Sequence, residues 1–384
     1  MKLTTIAMEF QKAVDILEKI QGAGFEAYFV GGAVRDALLN RPIHDVDIAS
    51  SAYPEEIKLI FPKTFDVGIE HGTVLVLWEE EQYEITTFRT ESVYTDFRRP
   101  DKVEFVSDLT QDLERRDFTI NAFAMTSQAE IIDLFEGLSD LSHKKIRAVG
   151  KAEDRFYEDA LRIMRAMRFA SELDFDIEYS TFLAMKSRAY LLEKIAIERI
   201  FIELNKLLLA KNWRKGLTFL MESESWKFLK GFEEINLNKI KEDFQFKCLE
   251  QAWAWLILQF SNFNLKKWKI SNDFYQKTSK IISAYSEKKW TLELIYKYGL
   301  EIVELVDDLK EAEGENVDRQ IAKQIDQQLQ IHEKSEILIN GKELLEKGYQ
   351  AGPELGKVLL EIEYKIINNQ LKNEKEAIFS YLKL

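Results

Sequence analysis

Proline and glycine are spread so unevenly that the chain cannot fold as one uniform architecture. Four of the five prolines (Pro42, Pro54, Pro62, Pro100) and eight of the sixteen glycines fall in the first 150 residues, while residues 151–340 hold four glycines and no proline. A proline-free stretch of that length suits long helices, whereas the punctuated N-terminal part suits short strands and helices joined by turns. At 384 residues the chain exceeds the usual domain size two- to threefold, so at least two domains are expected. With 46% hydrophobic residues it has material for a packed core, which excludes a disordered or collagen-like chain. The expected class is α+β: a mixed α/β head over 1–150, followed by all-helical segments.

Periodicity fills in that outline. The opening residues carry acids at Glu9 and Asp15 among apolar positions, which predicts an amphipathic helix and not a signal peptide. A short apolar run ending at Gly31 predicts a strand, followed by a short helix and then a strand over Asp45–Ala49. Pro54 to Ile60 opens like a helix with proline in its first turn. Thr73–Trp78 and Gln82–Phe88 are β-branched and aromatic and predict a hairpin. Residues 90–101 are polar, end in Pro100-Asp101 and are expected to form a loop. Beyond 151, helical period runs over Phe156–Leu173, Ile195–Leu209, Lys247–Phe260 and Val303–Gln330 with no clean repeat, which excludes a solenoid. Turn signals return from Ile339 onward and predict a small tail unit.

Several function classes drop out on composition. A single cysteine, Cys248, excludes a disulfide framework and a multi-cysteine zinc site. Four scattered histidines (His44, His71, His143, His332) argue against a histidine-rich metal centre. No apolar run reaches the ~18 residues that cross a bilayer, so a cytoplasmic protein without a membrane partner is expected. The net charge of −13 argues against nucleic acid only weakly, because binding needs a local basic track. Arg98/Arg99, Arg115/Arg116, Lys144/Lys145/Arg147 and Arg162/Arg165/Arg168 are such clusters, although each also reads as a solvated face. His71 reads as structural, Cys248 as core, and the tryptophans from Trp213 to Trp290 as helix packing.

Two constellations carry chemistry. The first is Gly31 to Asp36 (GGAVRD), followed by Asp45 and Asp47. A glycine pair between strand and helix lets backbone N–H groups approach a phosphate, though glycines also end strands for structural reasons. Two carboxylates at i and i+2 on a strand share one face and repel each other unless a cation intervenes; an oxygen-only set suits Mg²⁺. Glu84, mid-strand where glutamate is disfavoured, is either an exposed edge residue or a third acid for a two-metal site. The second constellation is Asp159 and Arg162, which a continuous helix makes neighbours. They read either as a surface ion pair or as a base-reading pair. Asp159 accepts and Arg162 donates hydrogen bonds, matching the amino donor and ring acceptor that cytosine and adenine present and that guanine and uracil reverse.

Gly31-Gly-x-x-Arg-Asp36 with Asp45-x-Asp47 resembles the signature of the nucleotidyltransferase superfamily. ERRDFTIN at 114–121, EDALR at 158–162 and RAMRF at 165–169 narrow the resemblance to the class II tRNA nucleotidyltransferases, the CCA-adding enzymes, and their bacterial poly(A) polymerase relatives. It is strong over residues ~20–200. Asn340-Gly-Lys-Glu-Leu and Gly352-Pro-x-x-Gly356 are similar to the family's tail. The resemblance implies a nucleotidyltransferase head (1–150) of small mixed sheet with helices, a helical neck that recognises the base (151–215), a helical body (216–335) and a helical tail that binds tRNA (336–384). It implies that Gly32, Arg35, Arg116, Asp159, Arg162, Arg165 and Arg168 hold the nucleotide and that Asp45 and Asp47 hold Mg²⁺; Glu84, from its own strand position, is expected as a further catalytic acid. The expected reaction is template-independent addition of C, C and A to tRNA lacking all or part of its 3′ CCA, from CTP and ATP. A CC-adding or A-adding specialist and a poly(A) polymerase share these motifs, whereas an RNA-binding scaffold predicts loss of the acids. The loop Thr90–Asp101 matches in position a flexible loop of the CCA-adding enzymes, and Asp96, Arg98 and Arg99 are expected to couple it to the base-reading helix. The sequence leaves monomer and homodimer both open.

Overall fold

Short β-branched and aromatic segments, each stopped by a turn before it grows long, assemble the N-terminal sheet. The computed structural model describes residues 1–67, 71–92 and 102–384, and the chain divides into two compact units, Met1–Glu234 and Ile235–Leu384. The first unit opens with α1 (Met8–Gln11) and α2 (Val14–Gly22), then β1 (Ala27–Val30), α3 (Gly32–Leu38), β2 (Asp47–Ser50), α4 (Pro54–Ile60) and β3 (Thr64–Asp66). The hairpin β4 (Thr73–Trp78) and β5 (Glu81–Thr87) follows, as its alternation predicts, then β6 (Arg89–Ser92), β7 (Lys102–Phe105) and α5 (Leu109–Glu114). β8 (Phe123–Met125), β9 (Ile131–Asp133) and α6 (Gly137–Ser142) complete the head.

The main sheet has seven strands in the order β3-β4-β5-β2-β1-β8-β9. β1 is antiparallel to both β2 and β8, while β2 and β5 run parallel. The parallel pair is reached by a crossover through α4, β3 and β4, and its register sets Ile48 opposite Ile85. Val30, Ala49, Phe88, Leu113 and Ala124 are buried together beneath it.

Helices then take over. β10 (Lys145–Ile146) pairs with β11 (Asp176–Ile177) around α7 (Ala152–Glu158) and α8 (Leu161–Leu173), and α9 (Tyr179–Arg188), α10 (Ile197–Leu209) and α11 (Trp213–Glu222) close the first unit. The second unit is helical: α12 (Leu249–Ile257), α13 (Asn272–Tyr285), α14 (Leu292–Tyr298), α15 (Leu300–Ala312), α16 (Arg319–Asp326), α17 (Gly341–Glu346), α18 (Pro353–Ile367) and α19 (Lys375–Leu382). Ser271, Thr291, Asp318 and Asn340 start α13, α14, α16 and α17 by accepting backbone N–H bonds at their N-caps. Trp253, Trp255 and Trp268 are fully buried in this unit, as is Trp213 in the first, in line with their reading as packing residues. Among the described residues no helix is long and apolar enough to cross a membrane.

Four local expectations need correction. The opening helix starts only at Met8, because the Met1 carbonyl accepts from the Ile131 amide (2.7 Å) and the Leu3 amide donates to the Ala129 carbonyl (3.0 Å), drawing the first residues into the sheet margin. The strand expected from Asp45 begins at Asp47. Residues 90–92 are not loop: β6 pairs antiparallel with β7. The rest of that segment, 93–101 with Asp96, Arg98 and Arg99, lies outside the described residues. The helix expected over Val303–Gln330 is two helices, parted where Gly314 turns with a φ of 93° and Asp318 caps α16.

Helices α8, α10 and α11 pack closely because Gly216 has no side chain. A Cβ there would stand 2.1 Å from Ser171 Oγ on α8 and 2.8 Å from the Leu207 side chain on α10. Gly216→Ala should therefore destabilise the protein by about 1–3 kcal/mol through overpacking, against a helix-propensity gain of about 1 kcal/mol. Chemical denaturation checks this, and adding Ser171→Ala, which removes the nearest atom, should restore part of the loss.

Candidate active site

The site forms where β1 ends. Gly31 there adopts a φ of 75°, and a Cβ on it would lie 3.0 Å from Arg116 Nη1 and 4.0 Å from Asp47 Oδ2. Glycine thus satisfies two demands at one position, a left-handed turn into α3 and room for a guanidinium across the strand end. Val30 pairs with Asp47 across β1 and β2, so that carboxylate stands beside the same turn.

The parallel register assembles the acids. With Ile48 opposite Ile85, Asp47 and Glu84 are neighbours on adjacent strands and face the same side. Asp45 lies in the irregular segment before β2 and reaches the group from there. The protein packed around Asp47 raises its carboxyl above the ordinary range; Glu84 and Asp45 add to the rise, and Arg116 opposes it. Such mutual repulsion between oxygen ligands is what a bound cation relieves. The donor set fits a hard divalent ion that keeps waters and substrate phosphates among its ligands. Among the described residues no three His, Cys, Asp or Glu side chains close into a ready-made metal cage.

Asp112 holds the arginines opposite. Fully buried within α5, it accepts from Arg115 Nη2 (2.7 Å) and Arg116 Nη2 (3.1 Å). Burial alone would raise its carboxyl, but the two guanidinium groups outweigh burial and hold it low. Arg116 Nε is buried with no hydrogen-bond partner among the described residues, so this guanidinium is only part-satisfied where it faces Gly31.

A cavity of about 410 Å³ runs from this point to the start of α8. Of the residues singled out from sequence, Gly32, Arg35, Asp47, Arg116, Asp159, Arg162 and Arg165 line it, while Asp45, Glu84 and Arg168 do not. Arg168 is turned away, donating to Glu203 (2.5 Å) and Glu172 (2.7 Å). Arg35 donates two-pronged to Asp36 (3.0 and 2.9 Å) and through Nη1 to Asn121 Oδ1 (2.6 Å). Asn121 in turn donates to Asp117 (3.0 Å), and Asp117 receives Arg165 Nε (2.7 Å). Sequence reading missed Arg115, Asp117, Asn121 and Phe169, which also line the cavity. Asp117 and Asn121 belong to the ERRDFTIN motif and Phe169 to RAMRF, and all three were readable as part of those motifs.

Asp159 and Arg162 do not sit together on one helix. The chain breaks between α7 and α8, and Asp159 occupies the break in extended conformation, with a φ of −140°. Its Oδ1 accepts from the Leu161 amide at the first residue of α8 (3.0 Å), so it lies ahead of that helix instead of within it. Its ion-pair partner is Arg199 of α10, at 2.7 and 3.3 Å. Arg162 donates to Glu158 (2.7 Å) and to the carbonyls of Arg155 (3.1 Å) and Arg115 (2.8 Å). Helical spacing alone predicted the wrong partner for each.

Burial would raise the Asp117 carboxyl, but Arg165 above all, with Asn121 and Arg162, holds it down at about 2. Because this lies below the unfolded value of about 4, the charged form contributes about 2 kcal/mol above about pH 4, and the contribution disappears as pH falls from there through 2. The stability gap between the parent and Asp117→Asn should therefore narrow by about 2 kcal/mol between pH 5 and pH 2 in denaturant titrations. A gap independent of pH would place the acid sensitivity elsewhere.

Comparison with known proteins agrees with this geometry. Residues 27–147 match the Poly A polymerase head domain family, and residues 244–382 match tRNA nucleotidyltransferase domain 2. The chain is 59% identical to the CCA-adding enzyme of Lactococcus lactis subsp. cremoris strain MG1363 over 395 residues, covering 100% of this chain and 98% of that protein. It is 52% identical to the CCA-adding enzyme of Streptococcus thermophilus strain CNRZ 1066, covering 100% and 98%. The crystal structure of the Bacillus stearothermophilus CCA-adding enzyme in complex with CTP superposes with a TM-score of 0.88 at 37% identity, covering 98% of each chain. The chain belongs to the family of CCA-adding enzymes.

Proposed function

We propose that this protein adds C, C and A stepwise to the 3′ end of tRNA, taking the nucleotides from CTP and ATP. The observation that carries the reading is a single cavity of nucleotide size with acids, glycines and arginines at one end and an acceptor–donor pair at the other. Its relatives bear the name CCA-adding enzyme along their full length, and the Bacillus stearothermophilus relative binds CTP. A cytoplasmic location belongs to this reading, because tRNA is matured there. Along the chain, we assign catalysis to 1–150, base recognition to 151–215, a structural body to 216–335 and tRNA binding to 336–384.

In the reaction the tRNA 3′-hydroxyl attacks the α-phosphorus in line. A new P–O bond forms, the α–β bridge breaks, and pyrophosphate leaves. Enzymes of this family use divalent metal ions. Here Mg²⁺ held by Asp45 and Asp47, with Glu84 beside them, would supply Lewis-acid activation of the hydroxyl and neutralise charge on the leaving group. Arg116, part-satisfied and poised over Gly31, grips triphosphate oxygens, and Gly32 lets them approach the backbone. Arg35 and Arg165, braced by Asp36 and Asp117, line the wall along sugar and phosphate.

At the far end Asp159 accepts from the amino group of cytosine or adenine, and Arg162 donates to the adjacent ring nitrogen. The contacts of Arg162 leave donor capacity on Nε and Nη2, and each Asp159 oxygen retains acceptor capacity beyond Arg199. Guanine and uracil present donor and acceptor in the reverse order and are refused. Selection thus needs no nucleic-acid template. tRNA is held by shape and backbone charge.

Sequencing the bases added to tRNA lacking its 3′ end, in the presence of all four nucleotides, tests the reading. The expected product ends in CCA; addition stopping at CC, A alone on a CC end, or runs of A would overturn it. Asp45→Ala and Asp47→Ala should abolish every addition while leaving tRNA affinity within severalfold of the parent, as measured by filter binding. Asp159→Ala should lower the preference for C and A over U and G by roughly ten- to a hundredfold, the worth of one hydrogen-bonded base edge. Undiminished discrimination in that variant would remove the base-reading role.

A further inference from the structure

We propose that Arg199 is a specificity-determining positioning residue: its two-pronged grip on Asp159 orients the carboxylate edge against which the incoming base is read. The inference rests on the reading of Asp159 as the acceptor for the base's amino group.

Asp159 needs an external brace. It stands in extended backbone between two helices, and of these only α8 reaches its side chain, through one amide on one oxygen. Two groups hold it in place: the Leu161 amide on Oδ1 and the Arg199 guanidinium, with Nη2 on Oδ2 at 2.7 Å and Nη1 on Oδ1 at 3.3 Å. One N–H bond leaves a carboxylate free to swing about that contact. A planar guanidinium engaging both oxygens fixes the carboxylate plane as well, which an ammonium group cannot do. A base edge is recognised by direction, so the plane of its acceptor matters.

Arg199 does not line the cavity. It acts through Asp159 and makes no contact of its own with a nucleotide seated there. It also belongs to a larger brace. One turn further along the same face of α10, buried Glu203 accepts from Arg168 (2.5 Å) and lies 3.7 Å from Arg165. A single face of α10 therefore holds the start of α8 through Arg199 and its middle through Glu203. The side chains of Arg199 and Asp159 are 26% and 16% exposed, so this pair is not a freely solvated surface contact. An ordinary inter-helix brace would stabilise the fold without altering the choice of base, and the two roles separate by experiment.

The test uses the full-length protein and tRNA lacking its 3′ CCA, with kcat and KM measured for CTP and UTP. Arg199→Lys keeps the charge and loses the fork; Arg199→Gln keeps a single donor. Both should lower the preference for CTP over UTP at least fivefold, with the loss falling on KM for CTP more than on kcat. In an Asp159→Ala background neither exchange should change the preference further. An unaltered preference in both single variants, an equal loss for both nucleotides accompanied by a lowered melting temperature, or an undiminished effect in the Asp159→Ala background would each overturn the role of Arg199 alone. Full discrimination by Asp159→Ala itself would overturn the base-reading assignment and this inference with it.

Discussion

The candidate site hangs on one buried carboxylate. Asp117 receives Arg165 from α8 at 2.7 Å and Asn121 at 3.0 Å, and Asn121 receives Arg35 from α3 at 2.6 Å. The chain of bonds joins α3, the helix that follows the glycine turn, to α8, the helix that carries Arg162. A water-exposed pair would be worth little, but breaking a buried one strands its partner charge at a cost of several kcal/mol. A polar linkage therefore ties the two ends of the cavity together.

Around that linkage the protein concentrates positive charge and balances it locally. The guanidinium carbons of Arg35, Arg165 and Arg168 lie 5.1, 5.3 and 4.0 Å from the centre of the Phe169 ring, which is itself buried. Three cations around one ring would repel one another without their acids. Asp36, Asp117, Glu172 and Glu203 supply the opposite charge, each ion-paired with one or two of these arginines. Phe169 supplies a flat, apolar spacer with a negative face that guanidinium groups favour. A chain with a net charge of −13 can thus present a cationic cavity wall, because five arginines line it against three aspartates.

Much of this was legible in the sequence, and the parts that were not share a physical cause. The proline and glycine distribution separated a mixed α/β head from helical segments, and period-2 alternation located the β4–β5 hairpin, because both signals are local. Gly31, Gly32 and Asp47 were singled out because residue type and short spacing carry their chemistry directly, and Arg116 because its motif resembles that of a known family. Asp159 and Arg162 were identified by type, but their partners were misassigned. Helical spacing assumes a continuous helix, and the helix is broken at Asp159 itself, whose backbone is extended and whose carboxylate bonds the Leu161 amide. The strand start at Asp45 and the extent of the loop after Thr90 were missed for a related reason: strand ends are decided by what lies alongside, here β5 for one and β7 for the other.

The sequence by itself determined the inventory: which residues bear charge, where the backbone turns, and which stretches are helical. Tertiary structure decided which inventory members meet. Nothing local to Asp159 points to Arg199, forty positions away, and nothing local to Arg165 points to Asp117. Those pairings exist because α10 packs on α8 and because α8 lies against the turn after α5. A carboxylate takes the guanidinium that the fold brings within about 3 Å, whatever the separation along the chain, since hydrogen-bond strength falls off within a few tenths of an ångström while sequence distance carries no energy at all once the fold is formed.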